Sequence, residues 1–150
     1  MKVSLLMILL TFSSCLFEDH ESPPFYDKFK REAAKRGITV RHIPNVVLKG
    51  KLKYNYAAYA LGSNIYVDTT SGTWKKFPEE TMMHEYGHAL LNREHDYGRL
   101  PNGMYKSVMG NYSHPLYGGW TLKDEISYRE EYYYDELFNP KTDAPEWSIK

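Results

Sequence analysis

The spacing of apolar positions changes along the chain, and each change marks an element. Over residues 25–36, Phe25, Phe29 and Ala33 recur every four residues and Gly37 follows, which predicts an amphipathic helix with its C-cap. Residues 38–48 are β-rich but contain Pro44, which has no N–H to give a ladder and so predicts an edge strand or a bend. Gly50 then turns the chain. Residues 54–61 and 64–68 read as two short strands around the turn pair Gly62-Ser63, giving a small sheet of about three strands. Between 77 and 96 the period becomes helical. Pro78 suits the first helical position, Glu79 and Glu80 favour the positive end of the helix, and Met83, Gly87, Leu90 and Leu91 form a stripe for burial. Gly118-Gly119 break the chain, and 121–138 reads as a closing helix. Thr121 would be its N-cap, Asp124 and Glu125 lie in its first turn, and Ile126, Tyr133 and Leu137 are among its apolar positions. Helices around a small sheet predict an α+β fold.

The N-terminus has a different character. Lys2 precedes an apolar run over 3–12, and Ser13 and Ser14 lead to Cys15, as in a processing segment. The run is too short to span a bilayer as a helix. Residues 12–15 resemble a bacterial lipobox, in which the chain is cut before the cysteine and the thiol is acylated; Phe12 stands where that pattern prefers Leu. An ordinary secretory signal is the alternative. The expected organisation is a lipoprotein-type signal peptide over 1–14, a tether over 15–24 and a globular domain over 25–150. Cys15 is the only cysteine, so as a lipid anchor it rules out a disulfide and leaves stability to packing and metal. The expected location is the bacterial cell envelope, membrane-anchored through Cys15, or the exterior if the lipobox reading fails.

Composition narrows this further. The chain has 150 residues, 42% of them hydrophobic, enough for one core and too few for two ordinary domains. Nineteen basic and nineteen acidic side chains cancel, so no long-range field favours nucleic acid, and a monomer without a nucleic-acid partner is expected. The fourteen tyrosines read as a β-rich or groove-lined surface packing amphipathic rings rather than as a dedicated site.

The candidate chemistry lies on the helix that begins at Pro78, where the chain reads His84-Glu85-Tyr86-Gly87-His88. Histidines four residues apart project from one helix face about one turn apart, close enough to share a metal ion, with Glu85 beside them. A chance match to this pattern in such a chain is roughly a one-to-two-in-a-hundred event. The competing reading is a helix with two solvated or core-satisfied histidines. With three protein ligands and an open position, zinc lowers the pKa of bound water toward neutrality, and a nearby carboxylate can take the proton as that water attacks a carbonyl.

The segment resembles the metzincin branch of the zinc metallopeptidases, whose helix motif H-E-x-x-H-x-x-G-x-x-H is followed by a methionine-containing turn. After His88 the chain continues Ala89-Leu90-Leu91-Asn92-Arg93-Glu94-His95-Asp96, and Ser107-Val108-Met109 follows further on. The resemblance covers 78–112, about a quarter of the chain. It departs twice: Leu91 holds the family's glycine position, and Glu94 its third histidine position, with His95 one residue later. In a continuous helix, His95 would lie about 10 Å beyond His88 along the axis, out of shared reach. Asn92 tolerates the left-handed conformation that ends helices, so the shifted stop and the shifted histidine compensate each other. His95 is therefore the preferred third ligand, with Glu94 and Asp96 kept as carboxylate alternatives; Asp96 could instead orient His95 as an acceptor.

The same resemblance implies Met109 as an apolar floor under the histidines and Tyr112, one residue later than usual, as a transition-state stabiliser. It also implies a minimal zincin-like layout and an edge strand that pairs with an extended peptide or protein substrate, for which 64–68 is the candidate. The thermolysin-like branch offers Glu125, Glu130 or Glu131 as third ligand. His42 and His114 read as surface residues. The implied activity is zinc-dependent peptide-bond hydrolysis with Glu85 as general base. The rival readings are a non-catalytic zinc-binding lipoprotein and a surface interaction module with a Tyr-rich face.

Overall fold

The computed structural model describes residues 22–110 and 122–149. Among the described residues the architecture is α+β, four α-helices and a three-stranded sheet. The segment 1–14 expected to be a signal peptide, Cys15, Tyr112, His114, Gly118-Gly119 and Thr121 lie outside the described residues.

Helix α1 spans Tyr26–Lys35 and buries Tyr26, Phe29 and Ala33. Phe25 does not enter it: the residue sits before the helix in a left-handed conformation (φ 59°), so Tyr26 takes the inward position expected of Phe25. Tyr26 and Phe29 pack on Tyr86 with ring centroids 5.9 and 5.2 Å apart, and Phe29 meets Phe138 at 5.1 Å. Gly37, at φ 72°, ends this segment as its sequence position predicts.

Strand β1 is Asn45–Lys49, and residues 38–44 before it, with buried Pro44, carry no regular structure, so the strand begins only after the proline. The strand expected over 54–61 is shorter. Lys53–Asn55 form a 3-10 turn, with Tyr54 and Asn55 both at positive φ, and β2 is Ala58–Leu61. Strand β3, Asn64–Asp68, matches its expected bounds, and Gly62 at φ 59° supplies the tight turn that joins it to β2.

The strand order is β1-β3-β2, with β1 parallel and β2 antiparallel to β3. Residues 64–68 are thus the central strand, not the edge strand expected from the sequence. The hairpin pairs β3 with β2 on one side, and β1 docks on the other because Ile65 and Val67, both fully buried, need cover from both neighbours. Beside α3, the edge strand is β2.

After the short helix α2 (Gly72–Lys76) comes α3, Pro78–Leu91. It buries Met82, Met83, Glu85, Tyr86 and Gly87, with His84 between them partly buried, which is more than one stripe allows. The helix is central: β2, α1 and α4 (Leu122–Phe138) pack on different sides of it. Leu90 and Leu91, expected in the stripe, are only partly buried against the core.

Most tyrosines among α1, α3 and α4 are core residues that cap loop carbonyls. Tyr26 and Tyr86 donate to the His42 and Pro24 carbonyls at 2.8 and 2.6 Å. Tyr132 and Tyr133 of α4 donate to the Lys106 and Tyr105 carbonyls at 2.9 and 3.0 Å. A buried ring that also satisfies a backbone acceptor fastens irregular chain to a helix. The surface arrangement expected for the tyrosines holds on the sheet, where Tyr59 and Tyr66 stack at 4.9 Å and Tyr54 and Tyr56 are exposed.

Candidate metal centre

The site starts with the way α3 ends. Asn92 is left-handed, at φ 52° and ψ 36°, and the Arg93 N–H donates back to the Gly87 carbonyl at 3.0 Å. The Asn92 N–H donates to the same carbonyl, so a left-handed residue folds the chain back over the last helical turn. The chain therefore turns back on the helix instead of extending it, and His95 comes to lie beside His84 and His88. A second backbone tie, Asp96 N–H to the Met109 carbonyl at 3.1 Å, holds the returning segment against the 107–109 turn.

The three imidazoles converge through their Nε2 atoms. His84 Nε2 lies 3.1 Å from His88 Nε2 and 3.2 Å from His95 Nε2. The metal-ligating atoms of all three lie within 4.8 Å of one another, and the group contains no carboxylate among the described residues. Two of the rings are oriented from behind. His84 Nδ1 is 2.8 Å from the Val108 carbonyl, and His88 Nδ1 is 2.6 Å from the Arg93 carbonyl. A carbonyl oxygen only accepts, so each Nδ1 carries a hydrogen, and the neutral ring then presents an Nε2 lone pair to the cluster.

Desolvation disfavours the charged form at His84 and His95. Desolvation pushes His84 down to about 3, with the hydrogen bond to Val108 opposing and the neighbouring histidines adding to the depression. Desolvation also lowers His95, with His88 contributing. Neutral imidazoles at this separation oppose lone pair to lone pair, which is unfavourable until a cation lies between them. Nitrogens bound at 2.0–2.1 Å to a tetrahedral ion are about 3.3 Å apart, close to the separations here. The donor set therefore fits a divalent transition metal, for which imidazole is a suitable ligand.

Glu85 points from the same helix toward the sheet edge. It is 5% exposed and accepts a hydrogen bond from the Ala60 backbone N–H of β2, while its Oε2 has no hydrogen-bond partner among the described residues. Burial pushes its carboxyl up to about 8, with the Ala60 bond opposing. Such a group has a raised proton affinity and one oxygen free to accept.

The turn at 107–109 sits beneath α3. Ser107 Oγ accepts the Met109 N–H at 3.0 Å and sets the turn. Met109 is fully buried, and a Cβ placed on Gly87 would collide with its sulfur. Gly87 is thus small because Met109 packs against the helix backbone there, and this approach brings the Val108 carbonyl to His84.

Glu94 is exposed and lies outside the ligand group. Asp96 does not orient His95 through a described hydrogen bond: its Oδ1 accepts the Gly98 N–H at 2.8 Å and its Oδ2 lies 3.8 Å from Lys106 Nζ. A short turn within reach of Asp96 captures its carboxylate first. Of the downstream glutamates, Glu130 pairs with Lys28 and Glu131 with Arg36, so both serve helix packing; the Glu125 side chain lies outside the described residues. His42 is exposed, as expected. The sequence reading missed the Val108 and Arg93 carbonyls, which carry no side-chain signal, and missed Glu136.

No family model matches this chain, and no curated protein or solved structure matches it either.

Proposed function

We propose that this chain is a zinc-dependent metallopeptidase of minimal zincin type, with His84, His88 and His95 as zinc ligands and Glu85 as general base. The observation that carries the proposal is the convergence of three Nε2 atoms, two of them aimed by backbone carbonyls, at a helix that also carries a buried carboxylate with an oxygen unpartnered among the described residues. Zinc held there would supply Lewis acidity toward a peptide carbonyl and the attacking water.

The chain's own residues account for the rest. Glu85, with its raised proton affinity, takes the proton of the attacking water and returns it to the leaving amine, a role that needs a carboxyl poised near the working pH. Strand β2 lies at the sheet edge next to α3, so an extended peptide pairing with it would pass Glu85, which is already tied to Ala60. Three imidazoles without a carboxylate among the described residues leave a coordination position open, which favours catalysis over a closed structural site. Export and anchoring through an acylated Cys15 complete the proposal. Among the described residues, no helix is long and apolar enough to cross a membrane. Tyr112 is proposed as a transition-state stabiliser on the family resemblance alone.

The decisive experiment compares metal content and peptide hydrolysis for the wild type, Glu85→Gln and single alanine variants of His84, His88 and His95. Glu85→Gln should bind zinc as the wild type does and lose hydrolysis; each histidine variant should lose zinc. Protein that binds no divalent metal after reconstitution, or a Glu85→Gln variant with full activity, overturns the proposal.

A further inference from the structure

Resting on the metal-site reading above, a second layer of the site is visible in a buried group which that chemistry does not use. Glu136, on α4, is fully buried. Its Oε1 is 2.6 Å from Arg93 Nη2, and Arg93 Nη1 donates to the Glu136 and Leu137 carbonyls at 2.6 and 2.7 Å. The Ser107 side chain lies within reach of the same carboxylate and lowers its proton affinity, and Glu136 Oε2 is otherwise without a hydrogen-bond partner among the described residues. One carboxylate thus meets two segments separated in sequence. Arg93 is the residue whose carbonyl aims His88, and Ser107 sets the turn whose next residue, Val108, aims His84.

A carboxylate is costly to bury, and a simple helix clamp of this size is served as well by apolar packing. What an apolar residue cannot do is hold two polar loop segments in register at once. Arg93 presents a planar fork that fills several acceptors in a fixed geometry, so its backbone, and with it the Arg93 carbonyl, has little freedom to shift. Both ring orientations therefore depend on one side chain on a different helix.

We infer that Glu136 is a positioning residue: through Arg93 and Ser107 it holds the two backbone carbonyls that aim His84 and His88 at the shared centre. Removing it frees both carbonyls, lets the rings exchange their tautomers and rotate, and weakens metal capture without touching a ligand. Loss of an orienting partner typically costs about 10- to 100-fold in metal affinity.

The test uses Glu136→Gln, which preserves shape and removes the charge, and Arg93→Lys, which removes the fork. The control is Phe138→Ala, which loosens the α1–α4 packing. In metal-free protein, nitrogen NMR of the imidazoles should show His84 and His88 as single Nδ1–H tautomers in the wild type and in Phe138→Ala, and as mixtures in Glu136→Gln and Arg93→Lys. Cobalt(II) titration should show affinity reduced about 10- to 100-fold and altered visible bands in those two variants only. Folded Glu136→Gln with wild-type tautomers and wild-type cobalt affinity overturns the inference. So does a set in which Arg93→Lys also fails to fold, since the pair is then a folding element. Wild-type protein that shows the single tautomers but takes up no cobalt instead counts against the zinc reading and leaves the positioning role to the NMR comparison.

Discussion

Gly87→Ala puts the packing beneath the metal helix to a test in which the sign of the effect carries the answer. On an unobstructed helix the change would stabilise by about 0.8–1 kcal/mol, because alanine is the better helix former. Here the new methyl would run into the Met109 sulfur, and would lie 3.1 Å from both Met109 Cε and Leu137 Cδ1. Met109 and Leu137 are both buried, so neither can move into solvent. Overpacking of this kind costs about 1–3 kcal/mol. The balance is a loss of about 1 kcal/mol, which at this chain length lowers Tm by about 2–4 °C. Because Val108 adjoins the displaced methionine, zinc affinity should fall as well. Placing the same change in a Met109→Ala background removes the main obstacle and leaves only Leu137 Cδ1 at 3.1 Å, so Gly87→Ala should then be neutral to stabilising, by at most the helix-propensity gain. Urea and thermal unfolding of the four proteins complete the cycle. If Gly87→Ala raises Tm in the wild-type background, Met109 does not press on α3 and the turn is not a fixed floor.

Three further outcomes follow from the same geometry. Asn92→Ala forces an ordinary residue into the left-handed conformation and should cost about 1–2 kcal/mol in urea unfolding, while Asn92→Gly should cost little and preserve zinc affinity. Free zinc at one hundred times its Kd should stabilise the wild type by about 2.7 kcal/mol, seen as a rise in Tm of about 5–10 °C, and should not shift His88→Ala. In chelator, rising pH should weaken the metal-free protein between the ordinary glutamate range near 4.5 and about 8. Across that window the unfolded chain has released the Glu85 proton and the folded chain still holds it, so stability is full below the window and lost through it, by at most about 1.4 kcal/mol per pH unit. Glu85→Gln should flatten that slope in denaturant titrations at stepped pH.

What the sequence determined alone was local. A helix of 3.6 residues per turn places His84 and His88 on one face whatever surrounds them, and Asn92 marks the stop by its own conformational tolerance, so both were legible before any packing was known. Strand 64–68 and its turn were legible for the same reason: alternation and a glycine act over a few residues. The tertiary structure decided everything that joins distant segments. It made residues 64–68 central, because burial of Ile65 and Val67 is settled by neighbours on both sides. It brought His95, and not Glu94 or Asp96, to His84 and His88, because which side chains meet is settled by where the returning chain lies and not by side-chain type. It enlisted the Val108 and Arg93 carbonyls, which every residue possesses and no sequence pattern distinguishes, and it brought Glu136 of α4, distant in sequence, to the segments that carry them. Side-chain direction within a helix follows from backbone geometry; which groups meet across the core follows only from how the whole chain packs.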